Sequence, residues 1–150
     1  MRGANFCAQL TERARPMPSH HSIFSHPGVI YVQLSGVISD TEILKVGNRV
    51  LEDPAYSKDY LAIWDFSQVE VMDIPMGGIS NIVEFERRNR GVLGTEKRAL
   101  VFKGMKHMVL FRLFSALRTG QRESRSFFTL SSACNWLQID EAMIRQNSEN

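Results

Sequence analysis

Two carboxylates, three histidines and a pair of glycines are the residues whose types and spacing invite a chemical reading. Asp65 and Asp73 are the candidate carboxylate pair for acid and base work, which needs a nucleophile, a base and an orienting group to converge. Each also has an ordinary occupation: Asp65 ends an apolar run, and Asp73 is placed to cap a helix. No complete catalytic set is found around them, so the chain is read as non-enzymatic. His20, His21 and His26 are the metal candidates, but they flank a hairpin and lack a cysteine or carboxylate at a firm ligand spacing. No metal is assigned. Gly77 and Gly78 near a helix start would let backbone amides approach an anion. The pair lacks the Lys-Ser/Thr of a P-loop and does not fit G-x-G-x-x-G, so no nucleotide or other cofactor is assigned.

Residues 107–120, HMVLFRLFSALRTG, carry the second feature. At 100° per residue, Val109, Leu110, Leu113, Ala116 and Leu117 share one face, with Phe114 at its edge. That face is expected to meet the core. Met108 and Phe111 then project among Lys106, Arg112, Ser115 and Arg118, a cation-ringed apolar face suited to a protein partner, a second copy of this chain or a membrane surface.

These residues must be held by a regular scaffold. With 150 residues, 43% of them hydrophobic and 23% charged, the chain has the size and composition of one globular domain. The longest apolar run, residues 108–117, is broken by Arg112 and Ser115 and is too short to span a bilayer. No secretory signal is recognisable, which gives a cytoplasmic expectation, with peripheral contact at the inner membrane left open. Cys7 and Cys134 form neither a metal spacing nor a disulfide framework. Charge divides along the chain. Residues 38–86 hold ten acids against Lys45, Arg49 and Lys58, a net −7, and residues 87–125 hold eleven bases against Glu96 and Glu123, a net +9. Arg87, Arg88, Arg90, Lys97, Lys103, Lys106 and Arg125 could contact phosphates, but no recognition-helix or RNP-like motif accompanies them, so nucleic acid is a minor alternative.

The order of elements follows from punctuation. Residues 1–18 lack periodicity and end in Pro16-Met17-Pro18, a loose leader with Met17 as an alternative start. Strands over 21–25 and 29–35 flank His26-Pro27-Gly28 as a hairpin. Ser39-Asp40-Thr41-Glu42 opens a helix that Asp53-Pro54 stops. Residues 60–66 read as a strand buried on both faces, and a helix follows with Pro75 in its first turn and Ile79, Ile82 and Val83 inward. A strand over 98–102, a helix over 107–119 ended by Gly120, a strand over 126–130 and a helix over 131–137 capped by Ser131 complete the domain, 19–140, before a tail over 141–150. The order β-β-α-β-α-β-α-β-α implies an α/β fold with a mainly parallel sheet, an antiparallel edge hairpin and helices largely on one face.

Residues 65–78, DFSQVEVMDIPMGG, resemble the loop of STAS domains of bacterial anti-sigma-factor antagonists, whose pattern runs D-L-S-x-V-x-F-M-D-S-S-G-L. Asp65, Ser67, Val69, Met72 and Asp73 match in type and spacing. The G-x-I/V-S/T-x-x-E entry over 36–42 and the closing Ala133-Cys134-Asn135-Trp136-Leu137 are similar to the same family, most of all to its uncharacterised SpoIIAA-like branch. The resemblance covers residues 21–140. It implies a regulatory binding module with a protein partner, and a binding loop at Asp65, Ser67, Asp73, Pro75, Met76, Gly77 and Gly78. SpoIIAA-like domains are also similar to the lipid-binding CRAL-TRIO fold, which adds a lipid-like amphiphile as a ligand class. The family's phosphate-accepting serine falls here on Pro75, which has no hydroxyl, so that switch is not carried over. Ser67 and Ser80 are read as a turn serine and an exposed helix serine. A small hydrolase or transferase is the alternative from another class; shielded carboxylates meeting a histidine in one pocket would revive it.

Overall fold

A computed structural model of the chain describes residues 19–117 and 122–148. The expected leader, Cys7, the Met17 start, Arg118 and Gly120 lie outside the described residues. Strands β1 (Ser19–Phe24) and β2 (Val29–Ser39) form the antiparallel hairpin, with a cis His26–Pro27 bond in its turn. Parallel to β2 run β3 (Leu61–Asp73), then β4 (Arg98–Phe102) and β5 (Ser124–Phe127), giving the order β1-β2-β3-β4-β5. The mainly parallel α/β architecture with an antiparallel edge is therefore the one the sequence implied.

Helices α1 (Asp40–Glu52), α2 (Met76–Arg88) and α3 (Met105–Leu117) connect successive parallel strands. Each crossover adds the next strand on the same side, so connections of one hand place all three helices on one face. Two further helices, α4 (Leu130–Leu137) and α5 (Glu141–Ser148), follow the last strand and are free of that constraint. They cover the other face.

Alternation along the strands divides the interior accordingly. Ile30, Val32 and Leu34 of β2, Ala62 and Phe66 of β3 and Leu100 and Phe102 of β4 join Val46 and Val50 of α1 and Met108 of α3. Val29, Tyr31, Ile63, Ala99 and Val101 point oppositely, onto Ala133, Cys134 and Leu137 of α4 and Ile144 of α5. Central strands buried on both faces must be apolar almost throughout, as β4 shows: only Arg98 breaks the run.

The β2–β3 ladder is irregular in a useful way. β3 is two residues longer than β2, 13 against 11, and the register shifts between Gln33 and Ser35 and again between Gly36 and Val37. Gly36 takes φ +74°, a conformation costly to any residue with a β-carbon. At the first shift, the Asp65 carboxylate accepts the Ser67 amide at 2.9 Å and the Tyr31 hydroxyl at 2.6 Å. Asp65 is 3% exposed. It fastens an irregularity inside the strand and does not end one.

Four further expectations are corrected. β3 continues to Asp73, so residues 65–73 are strand and Ser67 is not a turn serine. Pro75 occupies the N-cap of α2 without a side-chain bond, so Asp73 does not cap that helix. Thr129 caps α4, accepting the Ser132 amide at 3.1 Å, while the expected cap Ser131 donates to Glu141 at 2.5 Å. Finally, the segment expected to be a tail folds as α5. Asp140 accepts the Ala142 amide at 3.0 Å at its start, and Ile144 is fully buried.

The Tyr31–Asp65 bond sets the first prediction. Removing its donor leaves a buried carboxylate oxygen without that partner, a change worth about 1–3 kcal/mol. Tyr31→Phe is expected to lower the urea midpoint accordingly, with the m-value unchanged; equal midpoints for variant and parent would show that the bond contributes nothing.

Candidate functional site

The binding-loop residues are separated by the strand that carries them. Asp65 and Gly78 are buried, Ser67 is half-buried, and Asp73, Pro75, Met76 and Gly77 are exposed at the far end of β3 and the start of α2. Eight positions on one strand put Asp65 and Asp73 roughly 25 Å apart, far beyond the roughly 5–10 Å of a working carboxylate pair. They do not form one. The α2 N-terminus is also partly occupied: a β-carbon on Gly78 would lie 2.8 Å from Cγ of Asp40, whose carboxylate accepts from Asn81 at 3.3 Å. A negative side chain already sits where Gly77 and Gly78 were expected to admit an anion.

On α3, the expected face is rotated by roughly 140° at 100° per residue. Met108 is 6% exposed and Phe111 is half-buried, its ring 5.9 Å from that of Phe102, whereas Val109 is 58% exposed and Leu117 46%. Phe114 is half-buried as well; Lys106, Arg112 and Ser115 are exposed. The reason is composition. The helix is apolar nearly all round, so packing against the Phe66–Phe102 stack, with centroids 5.2 Å apart, decides which side turns inward. Met108 and Phe111 are core residues and not the centre of an exposed patch.

Between the sheet and α1, α2 and α3 lies an apolar cavity of about 130 Å³. Trp64, Leu100 and Phe102 form its sheet wall, with Phe85 from α2 and Phe111 from α3 opposite. Its polar wall is Glu86, Arg98 and Arg122. Alternation along β4 sets Arg98 on the same face as Leu100 and Phe102, so its guanidinium is carried into the interior. There, Nη1 donates to Glu86 at 2.6 Å and Nε to Ser124 Oγ at 3.1 Å, and Cζ stands 6.0 Å from the Phe114 ring. Nη2 is buried with no hydrogen-bond partner among the described residues. Arg122 donates from Nε to the Glu96 carbonyl at 2.7 Å.

Sequence reasoning missed this cavity and its ion pair. By charge, Arg98 falls among the bases of residues 87–125 and Glu86 among the acids of residues 38–86. The available signal was period two: an arginine in phase with Leu100 and Phe102 must be buried, and a buried cation needs a carboxylate nearby.

Many cations of the basic half have local partners. Glu84 binds Arg87 and Arg88, which hold its carboxyl down to about 2. Lys97 and Arg125 stand 5.1 and 5.5 Å from the Trp136 ring. These engagements break up the stripe that phosphate binding would use. The groups that would revive a hydrolase are likewise apart. Asp65 and Glu86 lie on opposite faces of the sheet, and His107 is not among the cavity walls. His21 bonds Asp53 at 2.8 Å, and no three His, Cys, Asp or Glu side chains among the described residues gather as a metal site. The buried Cys134 is a free thiol pushed up to about 11, chiefly by burial and next by Glu141. Among the described residues, no helix is long and apolar enough to cross a membrane.

Comparison with known proteins identifies the fold. No family model matches the chain, and no curated protein does. Among solved structures, it is similar to an uncharacterised protein of the DUF3478 family with a SpoIIAA-like fold from Shewanella loihica PV-4. The TM-score is 0.55 at 12% identity, covering 83% of this chain and 97% of that one. It is also similar to the anti-sigma factor antagonist SpoIIAA in its unphosphorylated form, with a TM-score of 0.50 at 13% identity over 80% of this chain and 97% of that one. The fold is SpoIIAA-like, as the resemblance at residues 65–78 implied.

One titration follows from α3. His107 is buried, and desolvation first, then Lys106 and Lys103, lowers its pKa. A depressed histidine favours the folded state above the unfolded value, near 6.5, and that contribution is lost as pH falls through and below it, by at most about 1.4 kcal/mol per pH unit. Between pH 7.5 and 5.5, the melting temperature is expected to fall more for the parent than for His107→Leu; parallel curves would contradict the assignment.

Proposed function

We propose that the chain is a cytoplasmic, non-enzymatic STAS-like regulatory module that engages a protein partner through the end of the sheet where β2 and β3 finish. The observation that carries this reading is a pair of exposed valines at that end of the sheet. Val37 and Val71 are directly paired across the ladder and are 61% and 49% exposed, and Met76, at the start of α2, is 67% exposed. Asp73, Pro75 and Gly77 supply a small, partly polar surround. Apolar groups gathered on a surface beside polar ones are a mark of interaction sites. Likeness in fold to an anti-sigma factor antagonist supports a protein as the partner, by analogy. Pro75 occupies the position of the family's serine, so engagement here is constitutive or controlled by other means.

A second reading is favoured by the cavity: a lipid-like amphiphile bound inside the domain. Its walls are largely aromatic and aliphatic with a small polar end, the usual make-up of a small-molecule site. Met108 and Phe111 face the core, so α3 does not offer them to a membrane surface.

Substituting exposed residues should leave stability within about 0.5 kcal/mol. A Val37→Lys, Met76→Lys double variant is therefore expected to melt with the parent but to lose a discrete protein that the parent captures by cross-linking in cells. Identical captures by both forms would overturn the assignment of this surface.

A further inference from the structure

We infer that the cavity takes an anionic amphiphile, a medium-chain carboxylate, whose hydrocarbon lies against Phe102 and Phe111 and whose carboxylate accepts from Nη2 of Arg98. This rests on the amphiphile reading of the cavity. Arg98 is 8% exposed. A guanidinium presents five N–H donors in a fixed fork. Two of its nitrogens are committed to Glu86 and Ser124, and Nη2 has no acceptor among the described residues. A buried donor left in that state is costly.

Charge selects the acceptor. Nη2 of Arg98 is a buried donor on a cationic group. An anion meets it with a charge-assisted bond, a neutral acceptor with a weaker one, and a cation with none. A carboxylate also matches the guanidinium edge in geometry.

Volume bounds the hydrocarbon. An apolar cavity of about 150 Å³ stays dry and admits a benzene-sized guest; this one is about 130 Å³. A chain of about six carbons at most is the matching class by that comparison.

Hexanoate, 1-hexanol and hexylammonium differ chiefly in the head and are the probes, titrated against the full chain by calorimetry and followed by NMR. Hexanoate is expected to bind about tenfold tighter than hexanol, with hexylammonium weakest. Its methylene protons should show cross-relaxation to the Phe102 and Phe111 rings. An Arg98→Met, Glu86→Leu double variant removes both charges of the pair. It is expected to lose about tenfold in hexanoate affinity while keeping hexanol. Should that variant fail to fold, the ranking of the three probes on the parent chain decides. Hexanol binding as well as hexanoate overturns the assigned head while the cavity reading stands. No binding by any of the three overturns both. Hexanoate that binds without reaching the two rings, or a preference for hexylammonium, also overturns the inference.

Discussion

A sheet covered on both faces cannot leave a polar group on a central strand without an internal partner, and this constraint organises the molecule. Three strands, β2, β3 and β4, are buried above and below. Unpaired, each buried polar group would cost more than an average surface contact gains. Asp65 and Arg98 are the charged residues that break the rule, at 3% and 8% exposure, and each is answered from a neighbouring element. Asp65 is met by Tyr31 from the adjacent strand and by the Ser67 amide, while Arg98 is met by Glu86 from α2 and Ser124 from β5. The first arrangement closes. The second leaves Nη2 over.

The difference traces to what covers each face. On the α4–α5 side, Ala133, Cys134 and Leu137 are brought tightly against Tyr31 and Ile63, and the polar atoms of Asp65 are satisfied within the sheet itself. On the other side, α2 buries fully only Gly78 and Ile79 along its length, with Ile82, Val83 and Phe85 half-buried. A helix that meets the sheet mainly through its first turn leaves space beneath its remainder, and Arg98 stands at the edge of that space. The ion pair to Glu86 ties the far end of α2 to β4 across it. Replacing a buried pair by apolar residues is often neutral or stabilising, so the pair is better understood through what it positions than through the stability it adds.

The same constraint explains which parts of the fold were legible in the sequence. Where local chemistry and tertiary packing agree, the elements stand where they were expected. Ser39 accepts the Glu42 amide and opens α1, Asp53 closes it, and His26-Pro27-Gly28 turns the hairpin. Where packing overrides local pattern, the reading failed. The outer half of β3 has Ser67, Gln68, Glu70 and Asp73 among its residues, a polar content typical of a loop, and it is strand because β2 continues beside it to Ser39. In α3 the apolar residues surround the axis, so a helical wheel offers more than one inward face, and only the Phe102 contact selects Phe111. For α5, two polar turns hide one fully buried residue, Ile144, and a half-buried Met143, too sparse to register as periodicity.

The candidate sites divide along the same line. The exposed strand-to-helix turn that carries Met76 and Gly77 follows from local sequence. The cavity does not, because it exists only where three helices fail to close over a sheet, and no single segment encodes that failure. Yet its polar end left a trace in the chain: RALVF is an apolar strand whose first residue is in phase with Leu100 and Phe102. An arginine at that phase commits the fold to a carboxylate within reach and to a donor set larger than one carboxylate can fill. Glu86 and Ser124 fill part of it. What fills the rest enters from the space that Arg98 borders, and the positive charge of the guanidinium gives that entrant its sign.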